Sequence, residues 1–456
     1  MIKYAGWIGI WIFLMGMKTT WAQNPIVQTM YTADPAPLVY QDTLFLYVGK
    51  DEPDAPSNGY LMREYRLFTT TDMVNWTDRG APLRTSQIAW SAGDASAAQC
   101  IERDGKFYWY ISTMNRTVGK GGVSIGVLVA DSPHGPFIDP LGKALVTNDM
   151  TTHAKHAWDD LDPSVFVDDD GQAYLYWGNG VCYWAKLNDD MISLAGPITA
   201  LDAKDKETFG PGFTEAPWIY KRNDIYYMHY ASGFPESLHY GTAEKIEGPW
   251  KYRGEIMALE KGSNTNHPGV IDYKGNSYFF YHNDALPEGH SYNRSVAVEQ
   301  FLYLPDGGVP VLKMTDAGVT KGIGTVDPYQ RVEAETMAFS HGVRAVDDKE
   351  KGVVIGDIHH GDYIKVRDVD FGEEGATVFA AAVSSRYHGG IMEIRLGGTK
   401  GRLVGELKVP YTGEWDNWVT PSVRIEKIDG VHDLYFVFSG KEPHALFLFD
   451  YWRFEK

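Results

Sequence analysis

The sequence predicts an all-β protein, a five-bladed β-propeller followed by a β-sandwich of jelly-roll type, and three observations predict it. A motif of polar head residue, turn, short apolar strand, hairpin turn and aromatic strand recurs five times between residues 34 and 285. No stretch before residue 330 has the 3.6-residue period of a long amphipathic helix. Beyond that point the recurrence stops, and short alternating segments of another kind take over.

The chain opens on "MIKYAGWIGIWIFLMGMKTTWAQ", a lysine-bearing start, an apolar run to about Met17 and small or hydroxyl residues before Ala22. That run is short for a bilayer span, so residues 1–22 are expected to be a cleaved signal peptide rather than a membrane anchor. An exported protein, periplasmic or extracellular, with no membrane span follows. Net charge is −18, and loss of Lys3 and Lys18 with the leader makes it −20. A surface that acidic repels phosphate backbones, which excludes nucleic acid as a partner. The two cysteines, Cys100 and Cys182, sit in apolar strand-like runs and are expected to be free thiols; a disulfide scaffold or a thiolate zinc site is excluded.

Residues 25–318 carry the five motifs. They read "DPAPLVYQDTLFLYVG" from Asp34, "SAAQCIERDGKFYWYIS" from Ser96, "DPSVFVDDDGQAYLYWGN" from Asp162, "EAPWIYKRNDIYYMHYAS" from Glu215 and "HPGVIDYKGNSYFFYHND" from His267. Each contains a hairpin and is followed by enough chain for two more strands. Radial closure of five such units leaves only short edges, against the alternative of an unclosed sandwich or solenoid. If each motif begins the innermost strand of its blade, Asp34, Asp162, Glu215 and His267 enter at one end of the central axis.

A single Asp-Pro at a strand start is ordinarily a turn former. Three carboxylates and a histidine at corresponding points of a repeat need another reason, because crowding like charges round a cavity costs free energy and raises pKa values. Sites of proton transfer are built that way. Two carboxylates across a pocket walled by aromatics point to glycoside hydrolysis, one protonating the leaving oxygen while the other activates water or attacks the sugar. Glu215 reaches one methylene further and suits the acid; Asp34, held by Pro35, suits the base. Trp90, Trp158 and Phe234 lie near the motif heads and are candidate sugar platforms, each with core packing as the plainer alternative. No G-x-S-x-G, H-E-x-x-H or G-x-x-x-x-G-K-[ST] is present.

"TADPAPLVYQDTLFLYVGKDE", "DDLDPSVFVDDDGQAYLYWGN", "GFTEAPWIYKRNDIYYMHYASG" and "NTNHPGVIDYKGNSYFFYHNDALPEG" together resemble the family 43 glycoside hydrolases, over about residues 25–318. The resemblance implies an exo-acting α-L-arabinofuranosidase that removes arabinose side chains from plant cell-wall arabinoxylan or arabino-oligosaccharides by inverting hydrolysis. A β-xylosidase or arabinanase of the same family is the near alternative, and a non-catalytic sugar-binding protein the distant one. It assigns Asp34 as base, Glu215 as acid, and Asp162 as the carboxylate that orients the acid and raises its pKa. His267 matches an axial histidine near a calcium ion bound largely through waters. Arg294 falls where the family has an arginine close to the acid, with a surface salt bridge as the alternative.

Residues 319–330 read as a linker, and 331–456 as a second, β-sandwich domain. "RVEAETM", "GDYIKVRDVDFG", "TGEWDNWVT" and "FDYWRFEK" resemble the family 6 carbohydrate-binding modules. That resemblance implies a structural calcium on Glu333, Glu335 and Asp450, whose oxygens suit a hard cation. In the sugar cleft Trp415 stands in the place of the stacking tryptophan, but Asp357 replaces its aromatic partner and Leu448 an asparagine. The module is therefore expected to bind weakly, to use another edge, or to serve as a structural prop.

Overall fold

The computed structural model describes residues 23–56, 59–116 and 122–456. The expected signal peptide lies outside the described residues. Among those residues no helix is long and apolar enough to cross a membrane, and the one α-helix is the single turn Lys206–Phe209.

Five antiparallel sheets fill the first two thirds of the chain. Their leading strands are Thr32–Tyr40, Ser91–Arg103, Ser164–Val167, Glu215–Arg222 and Gly269–Tyr273. Each is followed by its hairpin partner, as the "QD", "DG" and "KG" turns predict. Each sheet is tied to the next by a hydrogen bond. Tyr65 Oη of the first donates to Ser96 O of the second at 2.7 Å, and Val165 N of the third to Gln99 Oε1 at 2.7 Å. Ile219 N of the fourth donates to Ser164 Oγ at 3.0 Å, and Trp218 Nε1 to Val270 O of the fifth at 3.1 Å. The chain then returns to its start, where Thr32 N donates to Arg294 O at 2.9 Å. Interlocked aromatics fill the spaces between sheets: Trp109 lies 4.9 Å from Tyr47 and 5.1 Å from Tyr65, ring centre to ring centre.

The C-terminal third forms two further sheets facing each other across a core of Phe379, Phe436, Phe449, Trp452 and Phe454. The two halves of the chain share a sheet. Thr336–Met337, beyond the expected boundary, pairs with Trp76–Asp78 and extends the first sheet, whereas Val332–Glu333 and Phe339–His341 on either side join the sandwich. The segment 319–330 runs along this seam rather than free of it: Val319 is buried, Ile323 N donates to Asp72 O, and Val326 pairs with Val369.

At the centre of the seam Arg66 makes two hydrogen bonds to Asp78 (2.9 and 2.8 Å) and one to Asp347 across it (2.8 Å). Arg66 and Asp78 are both buried. Removing one partner of a buried pair leaves the other charge uncompensated, so Arg66→Ala is expected to destabilise the protein by about 3 kcal/mol. Urea unfolding of the full chain measures it, and a loss below about 1 kcal/mol, the range of exposed pairs, would be inconsistent with this role for Arg66.

Candidate active site

The leading strands do not enter regularly. Asp34, Asp162 and Ala216 each stand immediately before a proline and adopt left-handed backbone, with φ of 54°, 57° and 61°. Pairing slips between Ala33 and Ala36 and again between Glu215 and Trp218. A bulge of this kind re-aims a side chain at the mouth of a sheet. Aspartate tolerates the left-handed region better than most residues. By this register Ala216, not Glu215, corresponds to Asp34 and Asp162, and Glu215 stands one residue earlier in its strand.

Asp34, Asp162, Glu215 and His267 converge on one cavity of about 580 Å³. Trp158 and Phe234 stand on its wall, 54% and 66% exposed, with Trp158 stacked on His156 at 4.4 Å between ring centres. Trp90 does not line it. It is 3% exposed, packs on Gly126 and donates its indole N–H to Asp139, so the expected platform is a core residue. Trp90 precedes the second motif head by six residues, and nearness in sequence did not carry over to the pocket.

Arg294 is 2% exposed, which overturns the surface-salt-bridge alternative. It grips Asp51 through Nε (2.9 Å) and Nη2 (2.8 Å) and gives Nη1 to Asp34 Oδ1 at 3.0 Å. Its direct partner in the pocket is thus the expected base, not the expected acid. Burial raises the Asp34 pKa, and the Arg294 guanidinium pulls it partway back. His282 Nδ1 accepts the Asp34 backbone N–H at 3.2 Å.

Asp162 accepts the backbone N–H of Ala216 at 3.1 Å and thereby fixes the strand entry that carries Glu215. Burial, with the charges of Glu215 and Asp34, holds its pKa well above the carboxylate range. Burial also raises Glu215, while an N–H donated by Asn179 favours its ionised form. His267 lies 3.9 Å from Asp162, and burial lowers its pKa to about 3, leaving a neutral imidazole.

Several lining residues were missed. Tyr60 lies beneath the Arg294 guanidinium (5.3 Å) and edge-on to Tyr292 (5.8 Å). Asn179, Asn266 and Glu236 also line the cavity. Only Glu236 left a trace in sequence, as an acid within the "GFPES" turn.

In the C-terminal unit Asp357 pairs with Arg344 (3.4 Å) and His359 (3.2 Å) and offers no ring to a sugar. Trp415 instead meets Tyr387 edge-on at 5.9 Å, and Tyr387 stacks on His444 at 4.2 Å. Glu335 Oε2 and Asp450 Oδ2 are buried with no hydrogen-bond partner, while Glu333 is bound by Arg331. Among the described residues no three Asp, Glu, His or Cys side chains converge as a metal site. Cys100 and Cys182 are free and buried.

Residues 22–309 match the family model for glycosyl hydrolases family 43, and 333–456 that for carbohydrate binding module family 6. The chain is 33% identical to the arabinoxylan arabinofuranohydrolase of Bacillus subtilis (strain 168), over 94% of this chain and 92% of that protein. It is 30% identical to xylosidase/arabinosidase 43A of Humicola insolens, over 62% of this chain and 98% of the other. Among solved structures, the family 43 arabinoxylan arabinofuranohydrolase from Bacillus subtilis in complex with cellotetraose superposes with a TM-score of 0.83, at 32% identity, covering 95% of this chain and 98% of that one.

Arg294→Leu is expected to destabilise the protein by about 3–5 kcal/mol, because Asp34 and Asp51 would stay buried together without a cation. Their folded pKa values, already raised with Arg294 present, would rise further. The folded state then binds more protons than the unfolded one, so the variant loses stability as pH rises from the unfolded carboxylate pKa toward the folded one. Thermal unfolding should show a smaller deficit against the parent at pH 5 than at pH 8, and the reverse order would contradict the electrostatic account.

Proposed function

Because this chain belongs to glycosyl hydrolase family 43, we propose that it is an exo-acting α-L-arabinofuranosidase that removes arabinose side chains from arabinoxylan by inverting hydrolysis. The observation that carries the reading is the meeting of Asp34, Asp162 and Glu215 in one cavity, with exposed Trp158 and Phe234 beside them. The five sheets, each tied to the next and the last to the first, are read as the blades of a five-bladed propeller with this cavity at one end of its axis.

In this mechanism Asp34 takes a proton from water as that water attacks the anomeric carbon, while Glu215 gives its proton to the departing glycosidic oxygen. Arg294 keeps Asp34 ionised enough to act as base. Asp162 holds the Ala216 N–H, and so the direction from which Glu215 approaches. The name of the Humicola insolens relative supports β-xylosidase as the second reading, since one carboxylate set serves both pentoses. A non-catalytic sugar-binding protein would have no use for buried, proton-bearing carboxyls. Export is part of the proposal and rests on the apolar N-terminal run.

Structural calcium in the C-terminal unit is also proposed. Glu335 Oε2 is buried without a partner, and burial pushes the Glu335 pKa up to about 9, a penalty that a cation would relieve; Asp450, beside Arg331 (3.1 Å) and Lys351 (3.6 Å), is a second hard oxygen donor that would exchange those partners for the ion. Glu333 would join them on release from Arg331. A second, hydrated calcium near the axis would meet His267 as a neutral imidazole, and no step above depends on it.

Asp34→Ala and Glu215→Ala are each expected to lower kcat on wheat arabinoxylan by about 10² to 10⁴-fold with folding intact. Parallel assays on 4-nitrophenyl arabinofuranoside and xyloside separate the two sugar readings, and wild-type-like turnover by either variant would refute the assignment. Millimolar calcium should raise the melting temperature of the metal-stripped full chain, by linkage of about RT ln(1 + [Ca²⁺]/Kd), and Glu335→Ala should abolish the rise. An identical melt with calcium and with chelator would remove the ion from the proposal.

A further inference from the structure

Two further carboxyls line the pocket, Asp94 and Glu236, and the buried one, Glu236, has no part in the scheme above. Glu236 opens the strand Glu236–Ala243, directly after the Phe234-Pro235 turn, and its side chain is 1% exposed. Its backbone N–H donates to Asn264 O at 3.0 Å, and its Oε2 accepts the Asn266 N–H at 2.7 Å, so the residue is held by its backbone and by one carboxyl oxygen. Its carboxyl and that of Glu215 line the same cavity, and the charge of Glu215 is felt at Glu236. Two carboxyl groups can share a hydrogen bond only if one carries a proton, because two carboxylates have acceptors alone.

Which of the two keeps that proton follows from the neighbours. Glu215 takes the Asn179 amide N–H, a donor that favours its anion. Glu236 has one backbone N–H and otherwise faces negative charge, from Glu215 and then Asp162. Asp34, Asp94, Arg294 and a neutral His267 also line the cavity. Burial and the Glu215 charge raise Glu236 well above the carboxylate range, whereas a hydrogen bond from Glu236 would lower Glu215.

We propose that Glu236 is the positioning residue of the catalytic acid, a carboxyl that donates a hydrogen bond to Glu215, fixes its rotamer and stabilises the carboxylate formed when Glu215 gives up its proton. This rests on the assignment of Glu215 as acid. A neutral donor suits the task better than a cation. Arginine or lysine there would hold Glu215 ionised before the reaction and leave it no proton to give, whereas a carboxyl donor strengthens its bond only as charge develops. Glu236 touches neither leaving group nor water in this scheme and acts through Glu215 alone.

Leaving-group dependence reads this role directly. A glycosidic oxygen of xylan departs as a poor leaving group and needs the acid, whereas 2,4-dinitrophenolate departs with little help. Glu236→Ala is expected to lower kcat on arabinoxylan by about 30-fold or more, a part of the roughly 10² to 10⁴-fold that general acid catalysis supplies, and kcat on 2,4-dinitrophenyl α-L-arabinofuranoside by less than about threefold. KM should hold on both substrates. Glu236→Gln, whose amide can make the same donation while its oxygen still accepts the Asn266 N–H, should recover all but about threefold of the loss and leave the basic limb of the kcat/KM profile in place. Should the alanine variant fail to fold, Glu236→Met, similar in length but without a donor, carries the same comparison. Equal losses on the two substrates would mean a merely structural role, and a shifted basic limb in Glu236→Gln would mean that Glu236 works as a charge; either result overturns the proposal. Glu215→Ala is the reference: if it shows no leaving-group dependence, the acid assignment itself has failed, independently of Glu236.

Discussion

The pocket is possible because one cation is buried in it. Asp34, Asp51, Asp162, Glu215 and Glu236 crowd the axial end of the sheets, and like charges at such spacing in a low-dielectric site drive one another toward the neutral form. Arg294 is placed where it neutralises two of them. It takes Asp51 with two N–H groups and gives a third to Asp34, so that of Asp34, Asp162 and Glu215 the proposed base alone is bonded to a positive charge. The other carboxyls have only neutral donors: Asn179 and, by proposal, Glu236 for Glu215, the Ala216 N–H for Asp162, the Asn266 N–H for Glu236. One cation at one side of the cavity therefore sets Asp34, the proposed base, apart from the carboxyls that have no positive partner. The same guanidinium joins the last of the five sheets to the first, so the contact between those two sheets and the polarity of the site depend on one residue.

Backbone geometry supplies the aim. A regular strand would alternate its side chains between the two faces of the sheet and present none along the axis. The left-handed residue before each proline breaks that alternation at the mouth of the first, third and fourth sheets. Such conformations persist only where the surroundings over-determine them, and here the prolines, the inter-sheet hydrogen bonds and the Ala216–Asp162 bond do so. The offset of Glu215 by one residue places the proposed acid differently from the proposed base, which suits two groups that must reach opposite sides of one glycosidic bond.

The C-terminal unit is bound to the first sheet more closely than a tethered module. A strand is shared, Arg66 of the first sheet is paired across the seam with Asp347, and Arg367 reaches Gln23 and the carbonyl of Thr320. Since the first sheet also carries Asp34 and Asp51, this unit braces the sheet that holds the base. Its aromatic corner of Trp415, Tyr387 and His444 differs from the Trp415 and Asp357 pair anticipated from sequence, because the second ring comes from a loop distant in the chain.

What the sequence determined by itself was whatever is local. Turn dipeptides, alternating aromatics and the head residue of each motif depend on chemistry within some twenty residues, so the β class, the recurrence and the convergence of Asp34, Asp162, Glu215 and His267 could be read directly. What only the tertiary structure decided were relations between distant segments. Arg294 meets Asp51 and Asp34 across 243 and 260 residues of chain, and no local pattern marks an arginine that will be buried. Trp90 and Trp158 look alike in sequence, yet one fills the core behind Gly126 and the other walls the pocket, because burial depends on which sheet packs over a ring and not on the ring. Glu236 carried no signal beyond its own charge. Its meaning comes from the hairpin return that brings it to the cavity that Glu215 also lines.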